Sequence, residues 1–96
     1  MALIGIDVGG TGVKAVAFST RGEILASTYQ EYDMYSDGPG HFEAVPDKIY
    51  EAMRQVLRKT AADCPERVDG IGVSSFAESF VCFDKDGNIL CNSLMY

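Results

Sequence analysis

The spacing between two glycine turns constrains this chain more than any other feature. Glycines 9, 10 and 12 follow a short apolar run, and the next turn is centred on Gly22. Only residues 13–21 lie between the two turns, and the first of them are rich in Val, Ala and Phe, which favour strands. A parallel connection needs a dozen or more residues, so the strands on either side of the first turn must form an antiparallel hairpin.

The stretch GIDVGGTGVKA, residues 5–15, also carries a signal of ligand binding. Asp7 interrupts an apolar run, and a carboxylate there is costly unless it has a partner. Glycine weakens a strand unless the backbone must turn sharply or be approached closely. The two oddities together indicate a binding site.

The remaining pattern predicts a mixed sheet with one helix. We expect a helix from Pro46 until Cys64-Pro65, because apolar side chains recur there at helical spacing. Its apolar face comprises Ile49, Met53, Val56, Leu57 and Thr60. The predicted strands are residues 3–8, 13–19, 24–32, 68–74 and 80–83, and residues 36–41 are predicted to be a loop rich in Gly and Pro. Three hairpin-connected strands followed by a crossover helix favour a mixed α/β sheet.

Two similar octapeptides predict two further hairpins. FSTRGEIL and FDKDGNIL share a Phe, three polar residues, a Gly, one polar residue and Ile-Leu. Polar residues that end in Gly between apolar runs are typical of a turn in which the Gly is left-handed. We therefore expect hairpins at both places.

Composition excludes several classes of protein. The 96 residues suffice for one small domain at most, and the net charge of −6 with eight scattered Lys and Arg argues against a nucleic-acid surface. The three cysteines form no C-x-x-C motif and indicate reduced thiols. With no signal peptide and no stretch that approaches a membrane span, we expect a cytoplasmic protein with no membrane partner.

Three types of glycine-rich binding site can be compared with the first turn. A P-loop is excluded, because no Gly-Lys-Ser/Thr occurs and Lys14 follows Val13. A dinucleotide fingerprint matches Gly10-x-Gly12-x-x-Ala15, with Glu31 near the expected ribose position, but it requires a helix where a strand is predicted.

The third type is a phosphate-binding hairpin. Glycines let the turn amides approach phosphate oxygens, Thr11 adds a hydroxyl and Lys14 adds a charge. Asp7 would hold Mg²⁺ through water, because magnesium keeps several waters beside one or two carboxylates. A tight hairpin in which Asp7 merely accepts hydrogen bonds from turn amides remains an alternative.

Three stretches resemble one family. GIDVGGTGVKAVAF resembles the first phosphate motif of the actin, Hsp70 and sugar-kinase superfamily. GPGHFEAVPDKIYEAM resembles the segment that leads into the first helix of FGGY carbohydrate kinases, and GIGVSSFAESFVCFDKDGNIL resembles the next strand pair of that family. The resemblance implies a ribonuclease-H-like, actin-type fold, in which residues 1–96 are the N-terminal part of the first domain. The rest of that domain and the second domain would lie outside these residues.

The resemblance also implies site residues. Asp7 would be the magnesium-associated acid, and Lys14 would replace a basic phosphate contact that is often Arg. The nucleotide phosphates would lie along the turn formed by Gly9, Gly10, Thr11 and Gly12. Gly10 stands where FGGY kinases usually have Thr, so one hydroxyl is absent.

The implied sugar-binding pair is Ala77-Glu78. It matches neither the Arg-Glu of glycerol kinases nor the Met-His common in xylulose kinases, so the substrate stays open. Glu78 could accept hydrogen bonds from substrate hydroxyls, or be a solvated loop carboxylate. His41 occupies the usual Trp position of the family and is expected at the surface.

The implied activity is ATP- and Mg²⁺-dependent phosphorylation of a sugar or polyol. The general base of the family is an Asp from a segment beyond Tyr96, so we expect the 96 residues alone to transfer no phosphate. Alternatives are an actin- or Hsp70-like ATPase switch or activase, and a dinucleotide-binding domain. The assembly state is open, with a homodimer as one candidate.

Overall fold

The computed structural model describes residues 1–39, 41–75 and 80–94, and these residues include two small sheets and one helix. In chain order the elements are β1 Ala2–Val8, β2 Gly12–Ser19, β3 Ile24–Glu31, β4 Tyr35–Gly38, β5 His41–Ala44, α1 Pro46–Asp63, β6 Val68–Ser75 and β7 Ser93–Leu94.

The larger sheet has the strand order β3-β2-β1-β6. The first three strands are joined as antiparallel hairpins, and β6 returns after α1 to lie parallel to β1. The predicted order of hairpins, crossover helix and returning strand is therefore confirmed. In this register Asp7 lies between Lys14 on β2 and Ser74 on β6.

The hydrophobic core lies between α1 and one face of this sheet. Strand β1 alternates, with Ile4 and Ile6 buried and Gly5 and Asp7 exposed on the opposite face. The helix covers β2 and β3 more than β1, and buries Val56 and Thr60 completely. Ile49, Met53 and Leu57 of the predicted apolar face are partly buried against the core, and Ala52 is a buried helix residue outside that predicted set.

The turns predicted at Gly22 and Gly87 are both confirmed. Gly22 and Gly87 have φ values of +82° and +84°, which a side chain adopts only at a cost. The Gly22 N–H donates to the Ser19 carbonyl at 3.0 Å, and the Gly87 N–H donates to the Asp84 carbonyl at 3.1 Å. Each turn thus closes on the residue three positions earlier.

Two predicted elements were wrong. Residues 36–41 are not simply a loop, because β4 and β5 form a short antiparallel pair that β7 extends. The pairing partner β7 is distant in sequence, so local pattern gives no sign of it. Residues 80–83 form no strand beyond a single bridge between Phe83 and Ile89. Phe80 and Phe83 are 77% and 66% exposed, so no packing supports a longer ladder there.

No helix within the described parts of the chain is long and apolar enough to cross a membrane.

Candidate phosphate-binding site

The turn between β1 and β2 is short and closed by backbone hydrogen bonding. The Gly9 N–H donates to the Gly12 carbonyl at 2.9 Å, and β2 begins at Gly12 itself. There is no room for the helix that a dinucleotide fingerprint must open, so that alternative is wrong. The predicted hairpin is observed, but β1 ends at Val8 rather than Asp7 and β2 begins at Gly12 rather than near Lys14. Asp7 and Lys14 are opposite each other in its register.

Tyr29 of β3 and Tyr32, the residue that follows this strand, hold this turn. The Tyr32 hydroxyl donates to the Gly9 carbonyl, and the Tyr32 N–H donates to the Thr11 carbonyl at 3.3 Å. The Tyr29 hydroxyl lies 3.2 Å from the Thr11 hydroxyl, within hydrogen-bonding distance. Burial, with a smaller contribution from Tyr29, raises the pKa of Tyr32, so its hydroxyl keeps the proton that it donates.

Sequence reasoning missed these tyrosines. The sequence pattern predicts a strand over residues 24–32 and assigns neither tyrosine a role in the site. The available signal was positional, because a strand that pairs with β2 brings its last residues beside the β1–β2 turn.

Close packing against β3 leaves no room for a side chain at Gly12. A Cβ on Gly12 would lie 2.5 Å from the Tyr29 hydroxyl oxygen and 2.6 Å from the Gln30 carbonyl oxygen. Both distances are shorter than any ordinary contact of a Cβ atom. Glycine therefore allows β3 to approach the turn closely enough for Tyr29 to reach Thr11.

A row of polar side chains crosses the sheet face opposite the helix. The strand register places Ser74, Asp7, Lys14 and Tyr29 side by side, one on each strand. The Ser74 hydroxyl donates to an Asp7 carboxylate oxygen at 3.2 Å. Because the row lies at the end of the sheet that carries the glycine turn, it forms one continuous polar surface with that turn.

An open cavity of about 460 Å³ begins at this row. Asp7, Lys14 and Ser74 line its polar end. Its floor is formed by Gly5 and Gly72, where a Cβ would meet nothing within 4 Å, and its apolar end by Val16 and Phe18. The cavity is thus wide enough for a small ligand and is charged at one end.

The residues present fit a weakly held magnesium ion. No group of three or more His, Cys, Asp or Glu suited to a metal occurs among the residues with described structure. The described residues therefore contain no metal site formed entirely by protein side chains of these types. Magnesium bound by one carboxylate and several waters needs only Asp7 on the exposed face.

The predicted sugar-binding pair, Ala77 and Glu78, lies outside the described residues. The last described residue before them is Ser75, which ends β6. Ser75 is paired with Val8 at the end of β1, next to the glycine turn.

Comparison with known proteins assigns the family. The family model described as "FGGY family of carbohydrate kinases, N-terminal domain" matches residues 2–96. The chain belongs to the FGGY family. This FGGY chain is 30% identical over 98 residues to a glycerol kinase of Leptospira biflexa serovar Patoc, an alignment that covers 98% of this chain and 20% of that protein.

Solved structures agree with the assignment. A gluconate kinase and a ligand-bound xylulose kinase, both from Lactobacillus acidophilus, each superpose on this FGGY chain with a TM-score of 0.90 and 27% identity. Each match covers 97% of this chain and 19% of the other. The predicted actin-like sugar-kinase fold is confirmed, and the chain spans about a fifth of the length of these relatives.

Proposed function

We propose that this chain forms the first nucleotide-phosphate site, and part of the sugar site, of an ATP-dependent carbohydrate kinase. The observation that supports it most is the closed glycine turn, beside which Asp7 and Lys14 are opposite each other in the strand register. The chain that carries it belongs to the FGGY family. The substrate would be a small sugar or polyol.

The turn would bind phosphates through its backbone and two side chains. The Gly9 N–H already donates to the Gly12 carbonyl, so Gly9 would shape the turn. The amides of Gly10 and Gly12 would approach phosphate oxygens without a Cβ in the way. The Thr11 hydroxyl adds one donor, and Lys14 adds a positive charge on the same face as Asp7. Asp7 would hold magnesium through water, and the ion would supply charge neutralisation on the phosphates.

Phosphoryl transfer then needs mainly positioning. The oxygen of a substrate hydroxyl attacks the γ-phosphorus, the bond from that phosphorus to the ADP oxygen breaks, and the hydroxyl proton passes to a general base. We assign no base within these residues and expect it in a segment beyond Tyr96. Glu78 would orient the reacting sugar by accepting hydroxyl hydrogen bonds, whereas Ala77 offers only an apolar contact.

The chain would be the N-terminal part of the first of two actin-like domains. Its relatives are about five times longer, which supports the expectation that further parts of the kinase lie outside these residues. We therefore expect the 96 residues alone to produce no ADP in response to sugars. A cytoplasmic location, a homodimer and the absence of nucleic-acid partners stay predictions.

A substrate panel on the full-length protein tests the proposal. Purified enzyme with Mg-ATP is offered polyols, ketoses and sugar acids, and ADP production is followed in a coupled assay. We expect one class to stimulate ADP production strongly. ATP hydrolysis that no sugar stimulates would instead support an ATPase switch and refute the kinase proposal.

Matched lysine variants test the phosphate site. Lys14→Ala should raise the KM for ATP about tenfold or more, because a hydrogen bond to a charged group is removed. Lys85→Ala removes an exposed charge from the 84–88 turn, which does not line the cavity, and is the control. Equal effects of the two substitutions would refute the role of Lys14.

A further inference from the structure

Thr11 carries the one side-chain hydroxyl of the glycine turn, and it is already engaged within the protein. Its oxygen lies 3.2 Å from the Tyr29 hydroxyl oxygen, and either group can be the donor. Its backbone carbonyl accepts from the Tyr32 N–H. The turn is therefore linked to β3 at both the backbone and the side chain of Thr11.

Tyr29 lies on the face of the sheet that carries the proposed site. Its register partner is Lys14, which lines the cavity, and its side chain is 51% exposed. Tyr32, in contrast, contacts the Gly9 carbonyl from a more buried position. The two tyrosines thus have different roles, since only Tyr29 reaches a side chain of the site.

The chemistry of two adjoining hydroxyls gives the contact a direction. Each hydroxyl has one proton and can also accept. A phosphate oxygen only accepts, so Thr11 must donate its own proton to it. The Thr11 oxygen then accepts from Tyr29, and the chain of donors runs from Tyr29 through Thr11 to phosphate. Hydrogen bonds in such a chain polarise and strengthen one another.

We propose that Tyr29 is a positioning residue for ATP, whose hydroxyl orients Thr11 to donate to a nucleotide phosphate. The inference rests on the proposed kinase function. Gly12 is needed for the contact between Tyr29 and Thr11, because any side chain at Gly12 would collide with the Tyr29 hydroxyl.

A double-mutant cycle in the full-length protein tests this role. Tyr29→Phe removes only the hydroxyl, and Thr11→Val removes its partner at nearly constant shape. Mg-ATP binding is measured by calorimetry, the KM for sugar and kcat by the coupled assay, and folding by thermal melting. Tyr50→Phe is the control, because Tyr50 is a 58% exposed residue of α1 outside the site.

We expect Tyr29→Phe to weaken Mg-ATP binding about threefold to tenfold, the value of one hydrogen bond, with unchanged sugar KM and melting temperature. In the Thr11→Val background the same substitution should have no further effect. Unchanged Mg-ATP binding by Tyr29→Phe, or an equal effect in both backgrounds, overturns the inference. A wild-type protein that binds no Mg-ATP refutes the proposed function itself, which separates the two failures.

Discussion

Gly12→Ala should destabilise the fold at the point where β3 meets the glycine turn. The added Cβ would lie 2.6 Å from the Gln30 carbonyl oxygen, so the strands must separate by about 0.8 Å to reach the 3.4 Å of ordinary contact. The Tyr29 ring can rotate away, at the loss of its contact with Thr11, but the Gln30 carbonyl belongs to a paired strand. Overpacking of this kind costs about 1–3 kcal/mol.

Urea unfolding measures this cost, with Gly5→Ala as the matched control. Gly5 is also a strand glycine, but a Cβ there meets nothing within 4 Å. Alanine at Gly5 should be neutral or stabilise by up to about 1 kcal/mol, because it restricts the unfolded chain. The prediction is thus a difference between two Gly→Ala substitutions in adjoining strands. If both variants unfold at the wild-type midpoint, the close approach of β3 to Gly12 is refuted.

Three further predictions concern stability and titration. Val56→Ala leaves a gap in the core at a fully buried position and should cost about 1–3 kcal/mol in urea unfolding, whereas an unchanged midpoint would contradict its burial. Gly22→Ala places a side chain at φ +82° and should cost about 1–2 kcal/mol, unlike Gly72→Ala in open space. Hydrogen bonds from the Asn88 side chain and then its backbone lower the pKa of Asp84. This stabilisation is therefore present above the ordinary carboxyl pKa of 3.8 and is lost as pH falls through the lower folded value. An NMR titration should show a lowered pKa for Asp84, and Asn88→Ala should raise the pKa of Asp84.

The first hairpin could be predicted from the sequence because its constraints are local. Too few residues separate the glycine turns for a crossover, and the period of two then decides which side chains share a face. Asp7 and Lys14 are both exposed in the structure because the residues that alternate with them, including Ile6 and Val13, are buried. The length of the turn and this alternation together place Asp7 opposite Lys14.

Other features depend on contacts between distant parts of the chain. The Ser74 hydroxyl reaches Asp7 because β6 is parallel to β1 in one particular register, and no local pattern fixes that register. Tyr29 is separated from Thr11 by 18 positions and meets it through the β2–β3 pairing. Strand β7 likewise pairs with β5 from the far end of the chain, which is why residues 36–41 resembled a plain loop.

The same strand that builds the core also positions the site, and this explains how a small sheet can hold a charged group in place. On one face of β1, Ile4 and Ile6 are packed beneath α1, so the strand cannot slide or rotate without losing buried apolar surface. A shift of one residue would move Asp7 into the core and an isoleucine into the polar row. Burial of an unpaired carboxylate costs far more than a surface hydrogen bond contributes. The hydrophobic face therefore excludes a one-residue slip of Asp7 against Lys14 and Ser74. Tyr29 and Tyr32 then hold the turn that follows β1.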